Sequence, residues 1–286
     1  MSKDNNYQNY QVKQGKKLKL SDIDPSDTGG YSEKKALEKT ADYCKKLAKW
    51  QSKLYAEKKQ SLLIVLQALD AGGKDGTVNH VINALNPQGA KVTGFKQPTA
   101  EELAHDFLWR IHPHTPAHGD IAVFNRSHYE DVLVTRVHKI IDMPTCKARY
   151  QRIKEFEALL TDNNTKVVKF FLHISKEEQL NRFAERLDNP AKNWKISDSD
   201  YSERLLWDDY TQAFEDALSA TSTKDAPWYV IPANNKWYRN LVVSQILADT
   251  LKAMHPQYPQ PSVDLDKIRQ EYHQAKTQAK KHKTGT

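Results

Sequence analysis

Alternating apolar and helix-periodic segments along the chain predict an α/β organisation. Five short, largely apolar runs predict strands, and segments with helical spacing separate most of them. The first run, Leu62-Leu-Ile-Val-Leu66, is apolar throughout, as expected of a strand that is buried on both faces. The five predicted strands are Leu62–Leu66, Lys91–Phe95, Asp120–Phe124, Lys166–Ile174 and Ala226–Ile231.

Helical periodicity accounts for most of the sequence between these strands. The first helix, Glu33–Lys59, carries an apolar stripe and several lysines on its other faces, which fits a helix packed on a core with a solvated side. A lysine face that helps to gather a polyanion is the alternative. Thr99 and Glu102 form a capping-box pattern at the start of the third helix. The other predicted helices are Thr77–Leu85, Ala100–Leu108, Lys147–Leu160, Lys176–Leu187, Tyr201–Leu218 and Lys236–Met254.

Three segments do not follow this pattern. Residues 1–31 are polar and end in a turn-rich stretch, so we expect an extended N-terminal arm. Residues 188–200 form a charged insertion that contains a proline. Residues 256–286 contain several prolines followed by Lys and Gln, and we expect a polar, mobile C-terminal tail.

Composition limits the class of protein. Hydrophobic residues make up 38% of the 286 positions, which is enough for a folded core. The longest apolar run is far shorter than the roughly 18 residues of a membrane-spanning helix. The polar N-terminus lacks the hydrophobic segment of a secretion signal, and two cysteines are too few for a disulfide framework. We therefore expect a cytoplasmic protein with no membrane partner.

The net charge is +7, and most of it lies near the N-terminus. Residues 1–60 contain fourteen Lys, no Arg and eight acidic residues. A basic excess of this size is compatible with an anionic partner, but it does not identify one. We expect no specific nucleic-acid partner.

The first motif with recognisable chemistry joins the first strand to the next helix. Leu66-Gln-Ala-Leu-Asp-Ala-Gly-Gly-Lys-Asp-Gly-Thr77 is a strand, a glycine-rich loop and a helix start, the arrangement that binds phosphate in P-loop proteins. The match is imperfect, because Ala68 replaces the first glycine and Asp75 follows Lys74. An ordinary glycine-rich turn is the alternative, with Asp70 as a cap and not a Mg²⁺ ligand. The predicted phosphate-binding residues are Gly72, Gly73, Lys74, Asp75, Gly76 and Thr77.

A second polar cluster follows the third predicted strand, in Ile121–Asp131. Ligands bind at the carboxyl ends of strands in open α/β sheets, so the cluster has a suitable position for a binding site. Arg126 offers a planar donor pair for phosphate oxygens. Alternatively, Ser127 and Glu130 form the capping box of the next helix, and both interpretations can hold together.

A third cluster of cations lies in and after the helix that follows the fourth strand. Arg182 and Arg186 are four residues apart and share one helical face. Lys192 and Lys195 follow on the proline-containing insertion. Such a charged segment is often only a solvated surface loop. Its position also suits a lid that brings cations onto a transferring phosphoryl group.

These motifs resemble those of the family-2 polyphosphate kinases, most closely class III, whose members phosphorylate nucleoside mono- and diphosphates with polyphosphate. The resemblance extends from Leu18 to Met254, about five-sixths of the chain. The segments that carry it are Asp24–Gly30, Leu66–Thr77, Asn86–Gly89, His105–Arg110, Phe124–Leu133, Leu187–Lys195 and Ala226–Tyr229.

The resemblance implies a three-layer P-loop kinase-like fold: a five-stranded parallel sheet with helices on both faces and a helical lid. The catalytic domain would comprise residues 32–255, and the lid about residues 182–207. It also implies Mg²⁺, with Mn²⁺ as a possible substitute, and assembly as a homodimer or homotetramer. The partners would be inorganic polyphosphate and AMP or ADP.

Residue roles also follow from the resemblance. Asp70 corresponds to a metal-linked aspartate, and Lys74 to a phosphate-binding lysine. Position 125 is aspartate in some relatives, so Asn125 weakens the case for a direct metal contact there. The predicted catalytic residues are Asp70, Lys74, Arg126 and Arg186. The predicted nucleotide-binding residues are Asn125, Glu130 and Asp131. Arg182, Lys192 and Lys195 are predicted to contact polyphosphate.

The expected activity is transfer of the terminal phosphoryl group of polyphosphate to AMP or ADP, in line and with Mg²⁺. Two alternatives remain on the sequence alone. One is a nucleotide or nucleoside kinase that uses ATP as donor. The other is a basic protein that binds polyanions without turnover, for which Asp70 would be dispensable.

Overall fold

In the computed structural model, a five-stranded sheet organises the chain. The structure describes residues 3–284, with side chains for residues 7–279. The strand order is β2-β3-β1-β4-β5, and every neighbouring pair is parallel. This confirms the predicted α/β fold with a five-stranded parallel sheet. The strands are β1 (Ser61–Gln67), β2 (Ala90–Gly94), β3 (Ile121–Asn125), β4 (Thr165–His173) and β5 (Trp228–Pro232).

Helices cover both faces of the sheet. Alternate residues of β1 point to opposite sides, so Leu62 and Ile64 belong to one apolar cluster and Leu63 and Val65 to another. Within residues 3–284 the α-helices are α1 (Glu33–Glu57), α2 (Lys74–His80), α3 (Ala100–Leu103), α4 (Val134–Val137), α5 (Met143–Asp162), α6 (Lys176–Asp188), α7 (Asp198–Leu205), α8 (Trp207–Thr221), α9 (Lys236–Ala253) and α10 (Leu265–Thr284).

The two apolar clusters define the three layers. Leu47 of α1 and Ile246 of α9 pack in the cluster with Leu62. Ile153 of α5 and Phe214 of α8 pack in the cluster with Leu63. Burial of these residues removes a large apolar surface from water and is the main driving force for the layering. The prediction of helices on both faces is therefore confirmed. No helix in the described part of the chain is long and apolar enough to span a membrane.

Several helix boundaries differ from those predicted. The helix predicted at residues 100–108 ends at Leu103, because Asp106 Oδ1 accepts a hydrogen bond from the Leu108 amide and forms a turn. Its capping box between Thr99 and Glu102 is confirmed. The helix predicted at residues 201–218 is divided into α7 and α8 at Leu206. The helix predicted at residues 77–85 begins earlier, at Lys74, and ends at His80.

The two terminal segments contain more structure than the sequence predicted. Residues 3–10 form 3-10 helix, and the chain then runs beside β5, where the Val12 amide donates to the carbonyl of Trp228 at 2.9 Å. Tyr10, Val12 and Leu20 are buried, so part of the N-terminal segment belongs to the core. Near the other end, residues 265–284 form helix α10, which is exposed over residues 265–279, where we expected a mobile tail.

Candidate active site

The phosphate-loop motif folds at the carboxyl end of β1. We call residues 68–73 the loop; α2 begins directly after it at Lys74. Ala71 and Gly73 adopt left-handed φ angles of 59° and 103°, which turn the chain sharply. The buried Thr77 hydroxyl donates to the Gly73 carbonyl at 3.2 Å and ties α2 back to the loop. The predicted residues Gly72, Gly73, Asp75, Gly76 and Thr77 therefore all lie in the loop or the first turns of α2.

Lys74 is a partly buried cation beside the loop. Its Nζ donates to the carbonyl oxygen of Ala68 at 2.9 Å. It forms no ion pair with the described residues. Burial and the neighbouring Arg126 guanidinium lower the pKa of Lys74, although Asp70, Glu130 and Asp75 act in the opposite direction. A bound phosphate would supply the negative charge that this ammonium lacks.

Arg126 links the loop to the second motif. It follows β3 with a left-handed φ of 61°, and its amide donates to the Leu66 carbonyl at 3.1 Å. Its guanidinium lies 2.9 Å from Asp70 Oδ1 and 3.9 Å from Glu130 Oε2. Because the carboxyl ends of the parallel strands β1 and β3 lie side by side, the structure brings Asp70, Lys74, Arg126 and Glu130 together.

Burial raises the pKa of Glu130, and the adjacent Arg126 and Lys74 only partly oppose this. A proton can therefore remain on this carboxyl group at higher pH than on an exposed glutamate. Ser127, the next residue after Arg126, accepts a hydrogen bond from the Tyr129 amide and caps a short 3-10 helix over residues 128–131. The capping function of Ser127 thus coexists with the presentation of Arg126.

Asn125 and Lys195 meet at Asp75. Asn125 Nδ2 donates to Asp75 Oδ1 at 2.9 Å, and Lys195 Nζ lies 3.3 Å from Asp75 Oδ2. Burial alone would raise the pKa of Asp75, but these two contacts lower it below its ordinary value. The segment after α6 therefore contacts the first turn of α2 through an ion pair.

A cavity of about 350 Å³ opens between the loop, the end of β3 and the helices α6 to α8. Asp70, Arg126 and Glu130 line its polar wall. The remaining wall is mixed, with apolar side chains and a second polar group formed by His138, Glu203 and Tyr210. Its apolar lining residues include Leu69, Leu133, Val134, Trp207 and Phe214. A site with phosphate-binding chemistry at one end and apolar surface at the other suits a nucleotide.

The four cations of the third cluster lie in different environments. Arg186 donates to the carbonyl of Lys195 at 3.0 Å and lies 3.5 Å from Asp200. Lys192 lies 3.5 Å from Glu185. These two contacts are within the predicted lid, residues 182–207, so Arg186 and Lys192 lie near acidic side chains of the same segment, whereas Lys195 pairs with Asp75 of α2.

Arg182 differs from the other three, because it is buried behind the loop. Its Nε donates to Glu178 at 2.7 Å, and Nη1 donates to the carbonyl of Ala71 at 2.8 Å. Nη2 donates to the carbonyls of Ala233 and Asn234. All three guanidinium nitrogens of Arg182 are thus hydrogen bonded within the protein. Arg182 and Arg186 were predicted to share a helical face, but their side chains lie in different surroundings. The predicted contact of Arg182 with polyphosphate has no support in this geometry.

Asp131 is also separated from the cavity. Its carboxylate lies 3.7 Å from Arg149, and its carbonyl accepts from the same guanidinium at 2.8 Å. Burial raises the pKa of Asp131 to about 6, although Arg149 and Arg110 lower it in part. Asp131 is thus paired with Arg149 and does not line the cavity, unlike its neighbour Glu130.

The raised pKa of Asp131 predicts a pH-dependent cost to stability. The pKa of Asp131 in the folded protein, about 6, exceeds the ordinary value of 3.8, so ionisation of this carboxyl group lowers the free energy of unfolding. The loss is complete above the folded pKa, and it becomes smaller as the pH falls from there toward 3.8. We expect Asp131→Asn to raise the free energy of unfolding by about 1–3 kcal/mol near neutral pH and by less at about pH 5. Urea unfolding at both pH values tests this. The exposed Asp42→Asn is the control, and a gain that grows toward acid would contradict the assignment.

Sequence reasoning missed the contacts that support Asp70. Gln179 Nε2 donates to the Asp70 carbonyl at 2.9 Å, and its Oε1 accepts from Arg204 at 3.0 Å. Gln179 is buried, and it lies three residues before Arg182 on the inward face of α6. That spacing was a usable signal, because a polar residue on the buried face of a helix normally has a hydrogen-bonding role.

His138, Glu203 and Tyr210 were also missed. Tyr210 donates to Glu203 Oε2 at 2.6 Å, and His138 Nε2 lies 3.0 Å from the same oxygen. Glu203 belongs to α7 and Tyr210 to α8, and His138 directly follows α4, a helix that was not predicted. The sequence carried no spacing signal that could have grouped them.

The oxygen ligands available in the cavity suit a magnesium ion. Mg²⁺ is commonly held by one or two carboxylates together with substrate phosphates. Asp70 and Glu130 offer carboxylates on one wall of the cavity. Within residues 7–279 no three His, Cys, Asp or Glu side chains are close enough to hold a metal by themselves. The chemistry of these residues fits a metal that the substrate helps to bind.

Known proteins resemble this chain over most of its length. The family model of polyphosphate kinase 2 matches residues 30–259. The AMP/ADP-polyphosphate phosphotransferase of Meiothermus ruber is 50% identical over 261 residues, 91% of this chain and 98% of that protein. The ADP-polyphosphate phosphotransferase of Rhodopseudomonas palustris is 46% identical over 227 residues, 75% of this chain and 78% of that protein.

A solved structure has the same fold as this chain. The crystal structure of polyphosphate kinase 2 from Arthrobacter aurescens TC1 superposes with a TM-score of 0.88 at 42% identity. The match covers 92% of this chain and 98% of that one. The similarity therefore covers most of the fold.

Proposed function

The chain belongs to the polyphosphate kinase 2 family and is a polyphosphate:nucleotide phosphotransferase, and we propose that it moves the terminal phosphoryl group of polyphosphate in line onto a phosphate oxygen of AMP or ADP. The observation that carries the proposal is that Asp70, Arg126 and Glu130 line one cavity, while Lys74 donates to Ala68 of the same lining. Family membership favours polyphosphate as donor over the ATP-dependent kinase and over a polyanion-binding protein without turnover.

In this proposal the cavity receives the acceptor nucleotide. Its phosphates would lie toward Arg126, whose planar donors suit phosphate oxygens, with the rest of the nucleotide along the apolar wall that includes Trp207. Asn125 and Glu130 belong to the same strand end and are proposed to help orient the nucleotide. We assign no nucleotide contact to Asp131.

The donor chain would enter at the loop. Lys74 is proposed to neutralise the transferring phosphoryl group, with the loop and the start of α2 holding the adjacent phosphates. Lys195 and Lys192 lie on the segment after α6 and are proposed to contact polyphosphate from the opposite side. Arg186 is proposed to act on the transferring group after the lid moves, because its donors now face Lys195 and Asp200.

The chemistry needs little proton transfer. The attacking phosphate oxygen of the acceptor is already anionic, so no strong general base is required. The main obstacle is the repulsion of two polyanions, which Lys74 and Arg126 reduce while they align the reacting atoms. No covalent enzyme intermediate is needed.

We further propose that Asp70 and Glu130 hold Mg²⁺ when the substrates are bound, with Mn²⁺ as a substitute. The ion would reduce the negative charge of the phosphates during transfer. Asp70 is paired with Arg126 at 2.9 Å, so a metal that binds this carboxylate competes with that ion pair and can release Arg126 for substrate. Assembly as a homodimer or homotetramer and a cytoplasmic location are also proposals, drawn from the family resemblance and the low cysteine content.

Product analysis tests the proposed function. With AMP, polyphosphate and Mg²⁺ but no ATP, we expect ADP first and ATP later, because a single site would accept acceptors that differ by one phosphate. Nucleotide chromatography over time measures both steps. Product that stops at ADP would contradict the use of both acceptors. No product without added ATP would contradict polyphosphate as the donor.

A further inference from the structure

A second buried arginine lies directly against the phosphate loop. Arg239 belongs to α9 and is only 2% exposed. A Cβ atom at Gly73 would lie 1.9 Å from Arg239 Nη1, and one at Gly76 would lie 2.9 Å from Nη2. Both distances are too short for a real side chain. Glycine at positions 73 and 76 therefore leaves the space that the guanidinium occupies.

Arg239 has no acidic partner in the described part of the chain. There, its guanidinium hydrogen bonds both end on Oδ1 of Asn240, at 3.1 Å from Nε and 2.8 Å from Nη2. The neighbouring charge that acts on it is the guanidinium of Arg182, whose own carboxylate partner is Glu178. Burial and Arg182 lower the pKa of Arg239 to about 9. The fold thus contains a buried cation that is not compensated by an acidic group.

Such a cation is costly in the free protein. A buried charge without a counter-charge loses its hydration and gains little in return. Asn240 supplies only an amide oxygen, and Arg182 adds like-charge repulsion. An anion held by the loop would offset both costs, because the guanidinium lies directly behind that loop.

We propose that Arg239 is a positioning residue for the donor substrate, which braces the loop at Gly73 and Gly76 and supplies buried positive charge that the phosphate chain of polyphosphate compensates. This inference rests on the proposed function, since it takes the loop as the site of the donor phosphates. Arg239 acts through the loop backbone and is not assigned a contact with the reacting atoms.

The proposal makes opposite predictions for the free and the ligand-bound protein. Replacing Arg239 with a neutral side chain removes the uncompensated charge, so the melting temperature of the ligand-free protein should stay the same or rise. The same change should weaken phosphate-chain binding. A residue with a purely structural role would show the reverse: a lower melting temperature and unchanged binding.

Thermal unfolding with inorganic tripolyphosphate as the probe tests this. A ligand that binds only the folded state raises the melting temperature in proportion to the logarithm of its concentration over Kd. For Arg239→Gln we expect a Kd for tripolyphosphate about tenfold higher than the parental value. Arg239→Lys keeps the charge and should retain most of the affinity. Arg152→Gln, at an exposed position of α5, is the matched control and should behave as the parent.

Steady-state kinetics supplies a second readout. Arg239→Gln should raise the KM for polyphosphate more than it lowers kcat, and the KM for AMP should change little. A tripolyphosphate Kd within about twofold of the parental value would overturn the inference. A ligand-free melting temperature well below the parental one, or failure to fold, would also overturn it. If tripolyphosphate does not stabilise the parental protein either, the proposed function itself fails, and the two failures are thereby distinguished.

Discussion

Replacing Lys74 with alanine is expected to reduce kcat by about 100-fold or more while the protein remains folded. Lys74 is the first residue of α2 after the loop, and among the described residues its Nζ donates only to a carbonyl oxygen, that of Ala68 at 2.9 Å. A preorganised charge of this kind costs no reorganisation during the reaction, and its loss falls mainly on the transition state. The effect should therefore appear in kcat as well as in kcat/KM.

Stability should respond differently from activity. The pKa of Lys74 is lowered by burial and by Arg126, so the charged side chain is itself disfavoured in the free protein. The melting temperature of Lys74→Ala should consequently equal or exceed the parental value. Kinetics with saturating AMP and polyphosphate, together with thermal unfolding, measure both effects.

A surface lysine provides the control for this experiment. Lys45 lies on α1 with its side chain 81% exposed, and Lys45→Ala should leave both kcat and the melting temperature unchanged. Asp70→Asn gives an independent check, because it removes the proposed metal carboxylate and should lower kcat by a similar factor. A folded Lys74→Ala protein with near-parental kcat would remove Lys74 from the mechanism.

The positions of the strands could be predicted from the sequence because they depend on local patterns. The apolar run at Leu62–Leu66 and the polar residues that follow two strands are visible in the sequence alone. In a parallel sheet the carboxyl ends of neighbouring strands share one edge, so the meeting of Asp70 with Arg126 follows once the strands are adjacent. That adjacency was not predicted, and it comes from the strand order of the structure.

The supporting residues could not be predicted in the same way. Arg239 is more than 160 positions from the loop in the sequence, and only packing of α9 against α2 brings them together. Arg182 and Arg186 are four residues apart, yet Arg182 is buried behind the loop whereas Arg186 is only half-buried and contacts Asp200, because α6 passes from the core to the surface between them. Periodicity predicts that two residues share one face of a helix, but it does not predict how deeply each of them is buried.

A buried ion pair on the second face of the sheet was also invisible in the sequence. Lys169 of β4 and Glu157 of α5 are almost completely buried, with 2.6 Å between Nζ and Oε2. Lys169 lies among the apolar residues of β4, and the sequence of α5 is that of an ordinary amphipathic helix, so neither pattern indicates an ion pair. The Tyr129 hydroxyl and the Thr221 carbonyl accept the remaining hydrogen bonds of Lys169.

The pair is also connected to the candidate active site. Glu157 Oε1 accepts a hydrogen bond from the Tyr129 hydroxyl at 2.8 Å and lies 3.4 Å from His128 Nε2. Tyr129 and His128 both belong to the polar cluster Ile121–Asp131 that contains Arg126. The buried pair therefore fixes the backbone from which Arg126 and Glu130 extend toward the cavity.

Glu157→Gln is expected to lower the free energy of unfolding by about 3–5 kcal/mol, because it leaves the Lys169 ammonium buried without a counter-charge. Burial lowers the pKa of Lys169, and Glu157 is the group that opposes this shift. Without Glu157, the lysine must lose its proton or remain charged in an apolar interior, and either outcome costs stability. Urea unfolding of the variant at neutral pH measures the loss.

The double variant Glu157→Gln, Lys169→Met separates the charge from the packing. It removes the buried ammonium together with its partner and keeps similar side-chain lengths, so its stability should be closer to that of the parent than either single variant is. Tyr129 and Thr221 would still find an amide at position 157 or each other as partners, since their side-chain hydroxyl oxygens already lie 2.9 Å apart. If the double variant instead loses as much as the two single changes added together, the pair contributes no specific charge coupling. The position of the backbone at Arg126 would then have to be fixed by packing alone.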